Sequence, residues 1–201
     1  MTRERARIRL AASADAAAML AIYAPIVRDT IISFELEPPT LADMRGRIES
    51  AWPRWPWLVC ERAGALLGYA YASQHRTRAA YQWSVDMSVY VGVDARRGGV
   101  ARALYTSLFG ILALQGFRNA YAGITLPNPA SVAFHEALGF EHVGVYRNVG
   151  YKLGAWRDVG WWARDLAEHG PSPSSPVDLA SVRASPEWQR AITAGEELLR
   201  A

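Results

Sequence analysis

The chain has 201 residues, 51% of them hydrophobic, and its 22 basic and 19 acidic side chains give a formal charge of +3. That composition excludes a disordered chain and suits a single domain with one well-filled core plus an appendage. The mild positive balance favours anionic partners without choosing between a polyanionic small molecule and a nucleic acid.

Cys60 is the only cysteine and lies in the apolar run Trp57-Leu58-Val59-Cys60. No intramolecular disulfide can form, so a buried reduced thiol and a cytoplasmic location are expected. His75, His135, His142 and His169 lack zinc-ligand spacing, so no metal is expected. At the N-terminus a basic stretch, Arg3 to Arg9, precedes the apolar run Ala16 to Ala24 and imitates a secretory leader. Against that reading, Asp15 borders the run, no small-residue cleavage site follows Pro25, and Ala16, Leu20, Tyr23 and Val27 share one helical face. A core-facing helix is expected instead. No apolar run approaches the roughly 20 residues that span a bilayer.

In chain order, Arg7 to Leu10 alternates as a short strand, and Ser13 is the expected N-cap of a helix running to about Arg28. Thr40 and Asp43 form a capping box for a second helix with Leu41, Met44 and Ile48 on its buried stripe. Trp57 to Arg62 and Leu66 to Ser73, separated by Ala63-Gly64-Ala65, predict an antiparallel hairpin. From Val85 to Val93 every odd position is apolar, which buries one face and leaves Asp86, Ser88 and Tyr90 on the other. Beyond it, Asp94-Ala-Arg-Arg-Gly-Gly99 leads into a helix from about Val100 to Leu114 that Gly116 terminates. A strand over Asn119 to Thr125, a short helix over Asn128 to Leu138, and strands over Glu141 to Tyr146 and Trp156 to Leu166 complete the domain, residues 1–168. Residues 169–186 are rich in Pro and Ser and read as a flexible linker. Residues 187–201 form a helical tail, with Trp188, Ile192 and Leu199 apolar, too short to be stable unless it docks.

Glycines beside arginines at a helix start bring backbone N–H groups close to an anion. The stretch lacks the Lys-Ser/Thr pair of a Walker loop and the three-glycine dinucleotide spacing, so ATP and NAD are poor candidates. Arg96-x-x-Gly99-x-Ala101 resembles the pyrophosphate-binding motif of the GNAT acetyltransferases, and "NPASVAFHEALGF" (Asn128 to Phe140) resembles their second cofactor segment. "TIISFELEPPT", "RTRAAY", "SVYV" and "GYKLGAWRD" are similar to the phosphinothricin N-acetyltransferase subfamily.

The resemblance implies a GNAT fold of mixed α/β (α+β) class: a mostly antiparallel central sheet flanked by helices. It implies acetyl-CoA as cofactor, held by Val89, Tyr90, Val91, Arg96, Arg97, Gly98, Gly99, Val100, Ala101, Asn128 and Ser131. The acceptor implied is the α-amine of a small anionic amino acid or analogue, with Phe34, Arg76, Arg78, Tyr81 and Lys152 binding it. A homodimer is implied as well, with no nucleic-acid or membrane partner. Where the subfamily carries Glu-His before Ser-Val-Tyr-Val, this chain has Asp86-Met87, and Ala101 replaces the motif's last glycine. Asp86 is read as a base acting through water, or as a strand carboxylate facing solvent or an arginine. His135 is read as the proton donor to the departing thiolate, or as a packed residue. For Arg76, Arg78, Tyr81 and Lys152 the other reading is a solvated charged loop. Trp52, Trp55 and Trp57 stay unassigned between pocket wall and packing. Two further functions stay open: a non-catalytic acyl-CoA-binding module, and an acetyltransferase acting on a protein or aminoglycoside amine.

Overall fold

Seven strands form one sheet in the order β1-β2-β3-β4-β5-β7-β6. They are β1 (Arg7–Leu10), β2 (Trp57–Arg62), β3 (Ala65–Gln74), β4 (Ser84–Val91), β5 (Asn119–Leu126), β6 (Glu141–Lys152) and β7 (Ala155–Asp165). Every neighbouring pair is antiparallel except β4 and β5, so the mixed, mostly antiparallel sheet matches the expectation. The computed structural model describes residues 4–200; Arg3 of the N-terminal basic stretch and Ala201 of the tail lie outside the described residues.

Alternation decides which helices cover which face. Val59 and Tyr69 pack with Met19, Tyr23, Met44 and Ile48 of α1 (Ala16–Asp29) and α2 (Leu41–Ala51). Leu58, Ala70, Val85 and Met87 point the other way, onto α3 (Val100–Gln115), where Leu104, Tyr105, Leu108 and Leu112 are fully buried. Phe134 and Phe140, in and after α4 (Pro129–Glu136), extend this larger core.

β4 and β5 are parallel neighbours for only three residues: Ser84 opposite Asn119, Val85 opposite Ala120 and Asp86 opposite Tyr121. Past that point β4 stays with β3 to Val91 and β5 stays with β7 to Leu126. The sheet therefore opens between them.

The tail joins the larger core. Residues 170–176 carry neither helix nor strand, but Trp83 Nε1 donates to the Ser174 carbonyl at 2.9 Å and Arg54 Nη1 to that of Pro176 at 2.7 Å. After α5 (Leu179–Val182), α6 (Pro186–Glu196) buries Trp188, Ala191 and Ile192 against α3. Two glycines allow that approach. A Cβ on Gly110 would lie 2.8 Å from that of Ala191, and one on Gly195 would collide with Ser107 Oγ and the Ala103 carbonyl. Glu196 accepts the Ile8 N–H at 2.7 Å, and the Arg200 carbonyl accepts from Arg62 Nη2 at 2.6 Å.

Three local expectations are corrected. Ser13 does not cap α1: it opens a 3-10 turn (Ser13–Asp15) whose Ala12 N–H is taken by the Asp15 carboxylate at 2.8 Å, while its hydroxyl donates to Glu49. β4 stops at Val91 because Val93–Ala95 turn into a 3-10 segment. β6 continues to Lys152, well beyond Tyr146, because an irregularity around Asn148, whose φ is +47°, resets the register instead of ending the strand.

Candidate active site

A cavity of about 640 Å³ occupies the opening between β4 and β5. Val89, Tyr90, Val91, Arg96, Arg97, Gly99, Val100, Ala101, Ser131 and His135 all line it. Gly98 lines a smaller neighbouring cavity, and Asn128 caps α4 by accepting the Ser131 N–H at 3.2 Å. At one mouth, the turn before α3 makes an anion seat. Gly99 has φ +83° and no side chain caps the helix. The first helical bond runs from Ala103 N–H to the Gly99 carbonyl, so the N–H groups of the first turn have no intrahelical partner. The helix dipole and Arg96, Arg97 and Arg102 add positive potential there. Glycine is required at 99 for a second reason: a Cβ would come 2.8 Å from the Leu198 carbonyl of the tail. Met87, Val89, Val91, Ile124 and Phe134 make the cavity wall largely apolar.

His135 is 5% exposed, and its Nδ1 lies 2.8 Å from the Ser131 carbonyl. A carbonyl only accepts, so Nδ1 carries the proton and the Nε2 lone pair faces the Tyr105 hydroxyl at 3.3 Å. Burial lowers the His135 pKa below its usual value and raises that of Tyr105. His135 is thus placed as a neutral acceptor with no proton directed at a leaving thiolate. Tyr105 therefore donates its hydroxyl to His135 Nε2, and the sequence carries no sign of this contact because Tyr105 sits on α3, in a run that reads as core.

On the other side of the sheet, Asp86 Oδ1 meets His75 Nδ1 at 2.6 Å. Burial raises the Asp86 pKa, opposed by the His75 hydrogen bond. His75, just past β3, stacks on Tyr121 at 4.2 Å between centroids, with the edges of Trp161 at 5.9 Å and Tyr81 at 6.1 Å. Arg76 lies 5.5 Å over the Trp161 ring and donates to the His75 carbonyl. Arg78 is exposed at the start of the Ala79–Tyr81 turn. Arg76 and Tyr81 therefore gather around Asp86.

Phe34 and Lys152 do not join them. Phe34 packs on Gly150 of β6, where any Cβ would collide with its ring. Lys152 is 4% exposed and gives its three protons to the carbonyls of Val27, Ser33 and Glu35 at 2.7, 2.6 and 2.8 Å. No donor remains for a substrate, so its role is to anchor the chain after α1. His75, Tyr121 and Trp161 were missed. The pairing of Ser73 with Asp86 would have found His75, since two residues on it shares the Asp86 face.

A cationic seat thus lies at the cavity between the parted strands, and an acidic, aromatic cluster lies at the last rung before they part. A profile of the acetyltransferase (GNAT) domain matches residues 8–161. Phosphinothricin N-acetyltransferase of Streptomyces viridochromogenes is 41% identical over 175 residues, 87% of this chain and 94% of that protein. L-methionine sulfoximine/L-methionine sulfone acetyltransferase of Pseudomonas paraeruginosa is 34% identical over 173 residues, 85% of this chain and 99% of that one. The crystal structure of a GNAT superfamily phosphinothricin acetyltransferase from Sinorhizobium meliloti in complex with AcCoA superposes with a TM-score of 0.80 at 36% identity, covering 84% of this chain and 93% of that one. The chain belongs to the GNAT acetyltransferase family.

Proposed function

We propose that the protein transfers the acetyl group of acetyl-CoA to the α-amine of a small anionic amino acid or analogue, of the phosphinothricin or methionine sulfoximine type, by direct attack in a ternary complex. The observation that carries the reading is the opening of the sheet past Asp86 and Tyr121, with an uncapped helix start and arginines at the cavity mouth and Arg76 stacked over Trp161 near the last paired rung. Bound acetyl-CoA supplies an acetyl thioester. Arg96, Arg97 and the turn Gly98-Gly99-Val100-Ala101 fit its diphosphate, and the apolar wall with Ser131 fits its uncharged arm. Arg76 and Arg78 present guanidinium forks to a carboxylate or phosphinate.

Positioning is the main task of such a site, contributing up to roughly 7 to 11 kcal/mol. An α-amine of pKa near 8 is about one-tenth neutral at pH 7, so proton removal recovers only on the order of 1 kcal/mol. Thiol release over a panel of amino acids and analogues tests the substrate class. Turnover is expected on phosphinothricin or methionine sulfoximine, and acetyl-CoA binding without turnover on any panel member rejects the proposal.

A homodimer in the cytoplasm completes this reading. The dimer is supported by the outer strand β6 and its hairpin, where Val143, Tyr151, Leu153 and Trp156 are exposed side chains on an unpaired sheet edge. The location is supported by the buried single thiol of Cys60 and the cellular supply of acetyl-CoA.

A further inference from the structure

Asp86 stands where the relatives' motif calls for a longer carboxylate, and the structure sets a histidine against it. His75 enters from the end of β3, two residues past Ser73, which pairs with Asp86 across the sheet. The 2.6 Å contact commits Nδ1–H to the carboxylate and leaves Nε2 as the lone-pair nitrogen. Nε2 has no protein hydrogen bond among the described residues, and it is not among the sealed, unpartnered buried atoms, so it is open to water or a ligand. The ring is clamped flat on Tyr121, the β5 residue facing Asp86 at the last rung before β4 and β5 part. Beside it, Trp161 Nε1 is a buried donor with no partner, an N–H that an acceptor atom of a bound molecule would satisfy.

We propose that His75 is the general base of the transfer and that Asp86 is its positioning residue; this rests on the N-acetyltransferase reading above. Nε2 takes one proton from the substrate ammonium and passes it to solvent. The freed amine nitrogen forms the C–N bond to the acetyl carbon as the C–S bond breaks. The second amine proton balances the departing sulfur, which leaves as a thiol. Imidazole suits the step because its lone-pair nitrogen can take a proton from the amine and hand it to water. Among the described residues the charged and titratable groups in contact with His75 are Asp86, Arg76, Tyr81 and Tyr121, and Asp86 is the one carboxylate among them.

The test compares wild type with His75→Gln and Asp86→Asn, using phosphinothricin and methionine sulfoximine as acceptors and calorimetry for acetyl-CoA. For His75→Gln, kcat/KM is expected to fall about tenfold at pH 7, and to converge with wild type above about pH 9, where the amine arrives neutral. Its acid limb should move up to the amine's own titration near pH 8, with acetyl-CoA affinity unchanged. Asp86→Asn should reduce kcat while keeping a limb that depends on imidazole. Independently of turnover, nitrogen NMR of the free protein should show neutral His75 protonated at Nδ1. A variant His75→Gln with the wild-type profile, or a His75 protonated at Nε2, overturns the assignment and leaves the acetyltransferase reading standing. A folded wild type that binds acetyl-CoA and acetylates no amine overturns both.

Discussion

Lys152 reads in the sequence as a cation waiting for an anionic ligand, beside an aromatic hairpin and a charged loop. In the fold it is a buried clamp on three carbonyls of the segment after α1. Its ammonium is disfavoured by burial, which lowers its pKa, and held by those oxygens and the field of Glu35. Lys152→Met leaves two buried carbonyls and one partly buried one without the ammonium donor. Hydrogen bonds to charged groups contribute roughly 1.5 to 3 kcal/mol each, so a loss of about 3 kcal/mol in urea unfolding is expected. If Lys152→Met instead keeps its stability and raises KM for the amine, the clamp assignment fails. Local spacing cannot report such burial, since the carbonyls lie more than a hundred positions away in the chain. Cys60 was easier to place, because its apolar neighbours carry the signal. Burial pushes its thiol up to about 12, so it carries no thiolate at neutral pH.

Among elements, the glycine–arginine turn is legible because its chemistry is local: permissive residues, cations and a helix start are contiguous, and the structure keeps them together at the cavity mouth. The His75–Asp86 contact depends on hairpin register, which the sequence of either strand does not contain. The sequence pattern ends β6 at Tyr146 because the polar pair Arg147-Asn148 interrupts the alternation that marks a strand. The tail shows the same limit. Its composition identifies a weak helix, and the glycine-lined crossing with α3, together with the hydrogen bonds from Ile8 and Arg62, explains why it is ordered. Gly195→Leu would wedge α6 off Ser107 and Ala103 and expose the apolar surface of α3. A destabilisation of about 2 to 4 kcal/mol in chemical denaturation is expected, in the range of core overpacking and lost burial. An unchanged midpoint would show that the close crossing is not needed.

At the scale of the molecule, one sheet does three jobs: its middle holds the two cores, its parting forms the reaction slot, and its β6 edge is unpaired. Trp156, 63% exposed, and Tyr151, 57% exposed, place large rings on that edge hairpin, where solvent alone would leave an aggregation-prone border. In the proposed homodimer a second copy covers this border. Light scattering at micromolar concentration should return twice the 22.2 kDa of one chain. A value of 22.2 kDa across that range would rule the dimer out. The architecture was readable because alternation, caps and turns repeat along most of the chain; the outer edge was not, because exposure of apolar side chains is a property of the assembled sheet.

The last turn of the tail ends against Gly99, and Arg200 lines a small cavity shared with Arg96 and Gly98. Any polypeptide fused beyond Arg200 would emerge next to this glycine–arginine turn. An acidic or histidine-rich purification handle there would compete for the cations that the proposed reading assigns to the diphosphate, and would make a sound enzyme look like a poor binder.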